Sequence, residues 1–173
     1  MRTLEIANAA DQLVADAGSR DACRLAREAG IIVLFRPFRR QKGAYAIIND
    51  TPFMFIKDDL PEAERSMVIL HEIGHHCLHQ DAARMAGGFR DTQLFDRANA
   101  RMETEANLFA AEILLPDEDF LDDVANGYSL HEIAAQMNCD RNLAALKADI
   151  LIERGAPLSP QEHRNDFLRA ASG

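Results

Sequence analysis

Apolar residues recur at helical spacing near the start of the chain. Leu4, Ile6, Leu13 and Val14 predict an amphipathic helix over residues 3–17. A second helix is predicted over 20–29, stopped by Gly30. The pattern then changes. Ile31-Ile32-Val33-Leu34-Phe35 is a β-branched run that ends before Pro37, and Ala44–Ile48 and Phe53–Ile56 read as two further strands around the turn Asn49-Asp50-Thr51-Pro52. Between the first two strands, Arg36, Arg39, Arg40 and Lys42 make a short basic loop, which reads as a solvated turn because few aromatics stand nearby for base stacking.

Helical spacing returns at Leu60-Pro61-Glu62, where proline and an acidic residue suit a first turn, and it continues to about Gln80. Residues 84–96, with Gly87-Gly88, read as a loop. A helix over about 97–115 carries Phe109, Ala110, Ile113 and Leu114 on its apolar face and stops before Pro116; a short helix covers 117–125. Ser129-Leu130, Ile133-Ala134 and Met137, followed by a helix from Asp140 to about Arg154, have the spacing of a helix-turn-helix. Residues 156–173 hold two prolines, end in Ala-Ser-Gly and read as a frayed tail. The pattern predicts an α+β fold: a small sheet flanked by helices, then a mainly helical C-terminal part.

The chain has 173 residues, 47% of them hydrophobic and 27% charged, which suits a globular protein with a sizeable core. Its formal net charge of -9 repels nucleic acid and anionic membranes at long range. Cys23, Cys77 and Cys139 are widely spaced and form no C-x-x-C pair, so three free, partly buried thiols in a reducing compartment are expected. Met1-Arg2-Thr3-Leu4-Glu5 is unlike a signal peptide, and no apolar run approaches the ~20 residues of a membrane span. A cytoplasmic protein without a membrane partner is the expectation.

The chemistry concentrates at His71-Glu72-Ile73-Gly74-His75. Histidines four apart on a helix lie one turn above the other on one face and can share a metal ion. A carboxylate next to the first of them is placed to act as general base on the water that such a metal activates. The five residues alone are moderate evidence. Their setting strengthens them: Met67 and Val68 stand four and three residues before His71, and His75 and Leu78 follow at four and three, so both imidazoles fall on the inward, apolar stripe. Burying two polar rings there needs partners, and a metal supplies one. Zinc suits two histidines and a carboxylate, with manganese or iron as possible substitutes. His75 and His79 are also four apart, but His76 rather than a glutamate follows His75. His79 is therefore expected to cap or hydrogen-bond near the helix end, or at most to support a ligand.

A catalytic zinc takes three protein ligands and keeps an open position. Glu103 and Glu105 on the downstream helix are both candidates for the third, since they flank its core face on opposite sides, and spacing does not choose between them.

Three blocks, in order, carry a family resemblance: Met67–His75 with Leu78-His79; Glu105-Ala106-Asn107-Leu108-Phe109-Ala110-Ala111-Glu112-Ile113-Leu114-Leu115-Pro116; and Ser129–Ala134. With the strand Ala46-Ile47-Ile48-Asn49 they cover about residues 30–152, and the chain resembles the ImmA/IrrE-type zinc metallopeptidases. The chain is then expected to divide into a zincin-like domain over 1–116, a helical helix-turn-helix-like subdomain over 117–155 and, from its composition, a flexible tail over 156–173. The resemblance implies His71 and His75 as zinc ligands, Glu72 as catalytic base and Glu105 as third ligand, with Glu103 as runner-up. Thermolysin-like enzymes use Glu-x-x-x-Asp, in which the Asp orients a histidine; counted from Glu105, that place holds Phe109, so no such partner is transferred. The family is linked to relieving helix-turn-helix repressors, which makes a partner repressor the implied substrate. Tyr128 and His131 are polar tail residues that could stabilise an oxyanion.

The alternative is a zinc-containing DNA-binding or regulatory protein without protease activity. Against it, Arg141, Lys147 and Arg154 are cancelled by Asp140, Asp149 and Glu153 in the last helix, where a DNA reader is expected to be basic. The tail reads instead as an element for packing and partner docking.

Overall fold

The computed structural model describes residues 3–86 and 97–159. Two helices open the chain: α1 (Thr3–Ala17) and α2 (Ala22–Glu28). Asp21 caps α2 by accepting a hydrogen bond from the Arg24 amide, and the chain leaves the helix through Gly30 at φ 71°. Three strands follow: β1 (Ile32–Arg36), β2 (Gly43–Ile48) and β3 (Thr51–Lys57). Their order in the sheet is β1-β3-β2, with β3 parallel to β1 and antiparallel to β2. Asn49 and Asp50 close the β2–β3 hairpin at φ 49° and 60°. Two successive positive φ values give a turn whose twist matches that of the flanking strands, and Asn and Asp tolerate them.

Strand alternation sorts the sheet into two faces. Gly43 pairs with Ile56 and Tyr45 with Met54, and all four are buried beneath α3 (Glu62–Ala86). This helix was expected to end at about Gln80. It runs on to Ala86, but through a break at His79, whose φ of −130° and ψ of 24° are not helical. The expected loop at 84–96 is thus helix to Ala86, and its remainder lies outside the described residues, as does the expected tail beyond Ser159.

Helix α4 (Arg97–Leu114) packs along α3 and also along α1. Gly74 is the reason α3 and α4 come so close. A Cβ at Gly74 would lie 3.0 Å from Ala106 Cα, 3.1 Å from Ala106 O and 3.2 Å from Phe109 Cβ. Alanine is favoured over glycine inside a helix by about 1 kcal/mol, but overpacking a filled core costs ~1–3 kcal/mol. The two nearest atoms belong to the buried Ala106 backbone, so α4 must shift. Gly74→Ala is expected to lose about 1 kcal/mol of stability net, measured by thermal unfolding. A variant more stable than the parent would show that the crossing has slack.

The C-terminal part is α5 (Asp117–Ala125), α6 (Leu130–Gln136) and α7 (Arg141–Glu153). A capping box of Ser129 and Glu132 starts α6, and Asp140 caps α7. Two apolar clusters result. One joins α1, α2 and the sheet to α3 and α4; the other joins α5, α6 and α7 to Met67, Ala111 and Leu115. The second cluster also encloses charge. Lys147, fully buried, donates to Glu112 Oε2 at 3.0 Å and to Asp117, while Arg154 bonds Glu112 Oε1 at 2.5 Å and Asp117 Oδ2 at 2.9 Å. Among the described residues, no helix is long and apolar enough to cross a membrane. Cys23, Cys77 and Cys139 are free; the first two are exposed rather than partly buried.

Candidate metal centre

Helix periodicity turns His71 and His75 to the same side of α3, and both are buried. Their Nε2 atoms stand 3.0 Å apart. Glu103 reaches them from α4, with Oε2 at 3.3 Å from His71 Nε2 and Oε1 at 3.3 Å from His75 Nε2. Among the described residues, His71, His75 and Glu103 form the group able to hold a metal ion. A tetrahedral ion bound at about 2.0–2.1 Å needs donor atoms about 3.3–3.4 Å apart, which the two contacts of Glu103 match and the histidine pair approaches. The side chain of Glu103 is 38% exposed, against 7% and 2% for the two histidines, so solvent reaches the group from the glutamate's side.

Each ring has a partner on its other nitrogen. His71 Nδ1 lies 2.8 Å from Asn107 Oδ1, and His75 Nδ1 lies 3.2 Å from His79 Nδ1. Such contacts hold metal-binding imidazoles in register and leave the Nε2 lone pairs for the ion. The charge states of His75 and Glu103 also suit a cation. Burial pulls the His75 pKa down to about 4, keeping that ring neutral at physiological pH. Burial alone would raise the Glu103 pKa, but hydrogen bonds to His71 and His75 outweigh it and hold the carboxyl well below the usual range. Burial works to lower the His71 pKa and is outweighed by the same glutamate, which raises it. A neutral imidazole and a carboxylate are the forms a metal takes as ligands.

Glu105, which the resemblance implies as third ligand, is not in this group. It lies on another side of α4, where its Oε2 is 2.9 Å from His79 Nε2 and its Oε1 accepts from Arg101 Nε at 2.9 Å. The reason is helical phase: Glu103 shares a face with Asn107, one turn on, whereas Glu105 shares one with Arg101. Asn107 is the partner of His71 that the sequence reading does not single out. Counted from Glu103 the pattern is Glu-x-x-x-Asn, which places a histidine-orienting side chain where the Glu-x-x-x-Asp pattern has its Asp.

Glu72 is buried on α3 directly under the start of β2. A Cβ on Gly43 would fall 2.5 Å from Glu72 Oε1 and 2.6 Å from Val68 Cγ1, so only glycine lets the strand lie this close. Nearby, Lys42 pairs with Glu64 at 2.6 Å and helps line a hollow of about 250 Å³, whose other walls include Met67, Asn138, Cys139 and Asp140. The hollow lies over the N-terminal half of α3, between β2 and the α6–α7 turn. Tyr128 and His131 are elsewhere: they line a hollow of about 580 Å³ among the C-terminal helices, whose walls include neither the two histidines nor Glu103.

A helix bearing two histidines one turn apart, a carboxylate between them and another from the next helix, under the edge of a small mixed sheet, define an α+β domain of zincin-like plan. The chain belongs to the peptidase M78 family, the IrrE N-terminal-like domain, whose profile it matches over residues 26–148. It is also 33% identical over 105 residues to an uncharacterized immunity region protein 2 of Bacillus phage phi105. That match takes in 61% of this chain and spans 64% of the phage protein's length.

Proposed function

We propose that the chain is a zinc-dependent endopeptidase that cuts a helix-turn-helix transcriptional repressor. The observation that carries this reading is the convergence of His71, His75 and Glu103 at tetrahedral spacing beside Glu72. Membership of a peptidase family supports it. The phage relative's designation as an immunity region protein supports a regulatory setting, and with a repressor as substrate the place of action is the cytoplasm.

His71, His75 and Glu103 would hold the ion. When bound, zinc would supply Lewis-acid activation of water and of the substrate carbonyl. Glu72 takes the proton from the attacking water and delivers it to the leaving amine. Among the described residues β2 pairs only with β3, so its other edge can add an extended peptide through main-chain hydrogen bonds. Gly43 brings that strand against Glu72, which sets a bound peptide beside the general base. α7 is the less suited to reading DNA because its positions from Leu143 to Ala148, with Ile150 and Leu151, are buried. The α6–α7 pair is better suited to docking the substrate protein.

Protein purified without chelator is expected to carry one zinc per chain by elemental analysis, and the double variant His71→Ala/His75→Ala to carry none. Wild-type protein free of any transition metal would sink the proposal. Cleavage is best assayed on helix-turn-helix repressors encoded beside the gene, since activity on generic peptides is expected to be poor.

A further inference from the structure

We infer that His79 is a positioning residue that locks the His75 ring for the metal, acting as the middle of a chain that runs from His75 through His79 to Glu105 and Arg101. The inference rests on the metal-site reading above and adds a role for residues outside the ligand set.

The contacts are continuous. His75 Nδ1 faces His79 Nδ1 at 3.2 Å, His79 Nε2 faces Glu105 Oε2 at 2.9 Å, and Arg101 Nε donates to Glu105 Oε1 at 2.9 Å. Hydrogen placement along it is then determined. With the Nε2 lone pair of His75 turned to the ion, its ring hydrogen sits on Nδ1 and is donated to His79 Nδ1. His79 must accept there, so its own hydrogen sits on Nε2 and is donated to the Glu105 carboxylate. Every donor meets an acceptor, and only one tautomer of each ring satisfies the chain.

The backbone gives a separate indication. α3 leaves helical geometry at His79 itself, in a stretch with no proline, and the glycine at Gly74 lies more than a turn away. Kinks usually have a local cause such as proline, a glycine pair or an inserted group. Here the residue at the break is a buried histidine bonded on both ring nitrogens, to one ligand on its own helix and to a carboxylate on the next. The departure lets one side chain reach both. His71 is held differently: its Nδ1 donates to Asn107 Oδ1 at 2.8 Å.

The test is zinc affinity by chelator competition, together with the visible spectrum of the cobalt-substituted protein, for His79→Leu and His79→Gln. Leucine fills the space and breaks the chain. Glutamine keeps it, because its carbonyl can accept from His75 while its amide donates to Glu105. His79→Leu is expected to bind zinc ten- to about a hundredfold more weakly, with an altered cobalt spectrum. His79→Gln should restore both. Equal affinity of His79→Leu and wild type overturns the inference. So does a His79→Gln variant as weak as His79→Leu, which would mark a packing role. Should His79→Leu not fold, Glu105→Ala replaces it at the outer end of the chain, with a weaker loss expected and unchanged affinity overturning the inference. Wild-type protein that binds no zinc removes the metal site and this role together. Zinc that is held by wild type and His79→Leu alike, but lost in His71→Ala/His75→Ala, removes this role alone.

Discussion

Replacing Glu103 by Gln is expected to weaken zinc binding by more than a hundredfold, whereas Glu105→Gln, at the outer end of the His79 chain, should cost less than the ten- to about hundredfold expected of a residue that touches a ligand directly. The two glutamates are two residues apart in the chain and differ completely in surroundings. Glu103 lies 3.3 Å from both ligand nitrogens and supplies the negative charge of the site. Glutamine keeps the shape but removes that charge, leaving two neutral rings to hold a dication. Glu103 is also half-exposed, so its replacement should leave folding nearly unchanged, and unfolding of the metal-free variant checks this. Glu105 touches His79 and Arg101 instead. Chelator competition on both variants decides the matter. Zinc retained by Glu103→Gln and lost by Glu105→Gln would restore the ligand set that the family resemblance implies and overturn the one the geometry supports.

The second large effect is catalytic. Glu72→Gln should keep its zinc and lose about 10²–10⁴ of the cleavage rate, the range general acid–base catalysis contributes. Glu72 stands outside the triad His71, His75 and Glu103, so elemental analysis should still find one metal per chain. Its carboxylate lies against Gly43 at the head of β2, where a peptide added to that strand would run. Glutamine fills the same space and cannot take a proton. The loss should fall on kcat with KM little changed, because the change affects the transition state and not the docking of the repressor. A variant that cuts the repressor at the wild-type rate would remove Glu72 from the chemistry.

Much of this arrangement is legible in the sequence because helices and strands have fixed periods. A spacing of four places two histidines on one face, and their Nε2 atoms stand 3.0 Å apart. The Asn49-Asp50 turn announces its hairpin, and the helices from α4 onward begin or end within a few residues of their capping signals. Glu103 and Glu105 were harder. Both flank the apolar face of one helix, and a few tens of degrees of helix rotation decide which of them meets α3. The deciding sign is Asn107, four residues after Glu103; counted from Glu105, the same place holds Phe109. The break at His79 has no local mark in the sequence. It is made by tertiary bonds to His75 and Glu105, which come into being only when α3 and α4 pack. The nearness of Gly43 to Glu72 is hidden for a related reason: a glycine opening a strand does not say what lies beneath it.

α4 is built into both halves of the molecule. Near its start it presents Glu103 to the histidines; about 13 Å further along its axis, at ~1.5 Å per residue, Glu112 is gripped by Lys147 and Arg154. A helix hardly stretches or bends over that length, so what is clamped at one end is aimed at the other. The C-terminal helices therefore act as a mount for the candidate metal site as well as a neighbour to it. A substitution at Lys147 touches no ligand, yet it loosens the fixture that sets where Glu103 points. In such a layout, mutations filtered for stability in the C-terminal helices are filtered for the aim of the site at the same time.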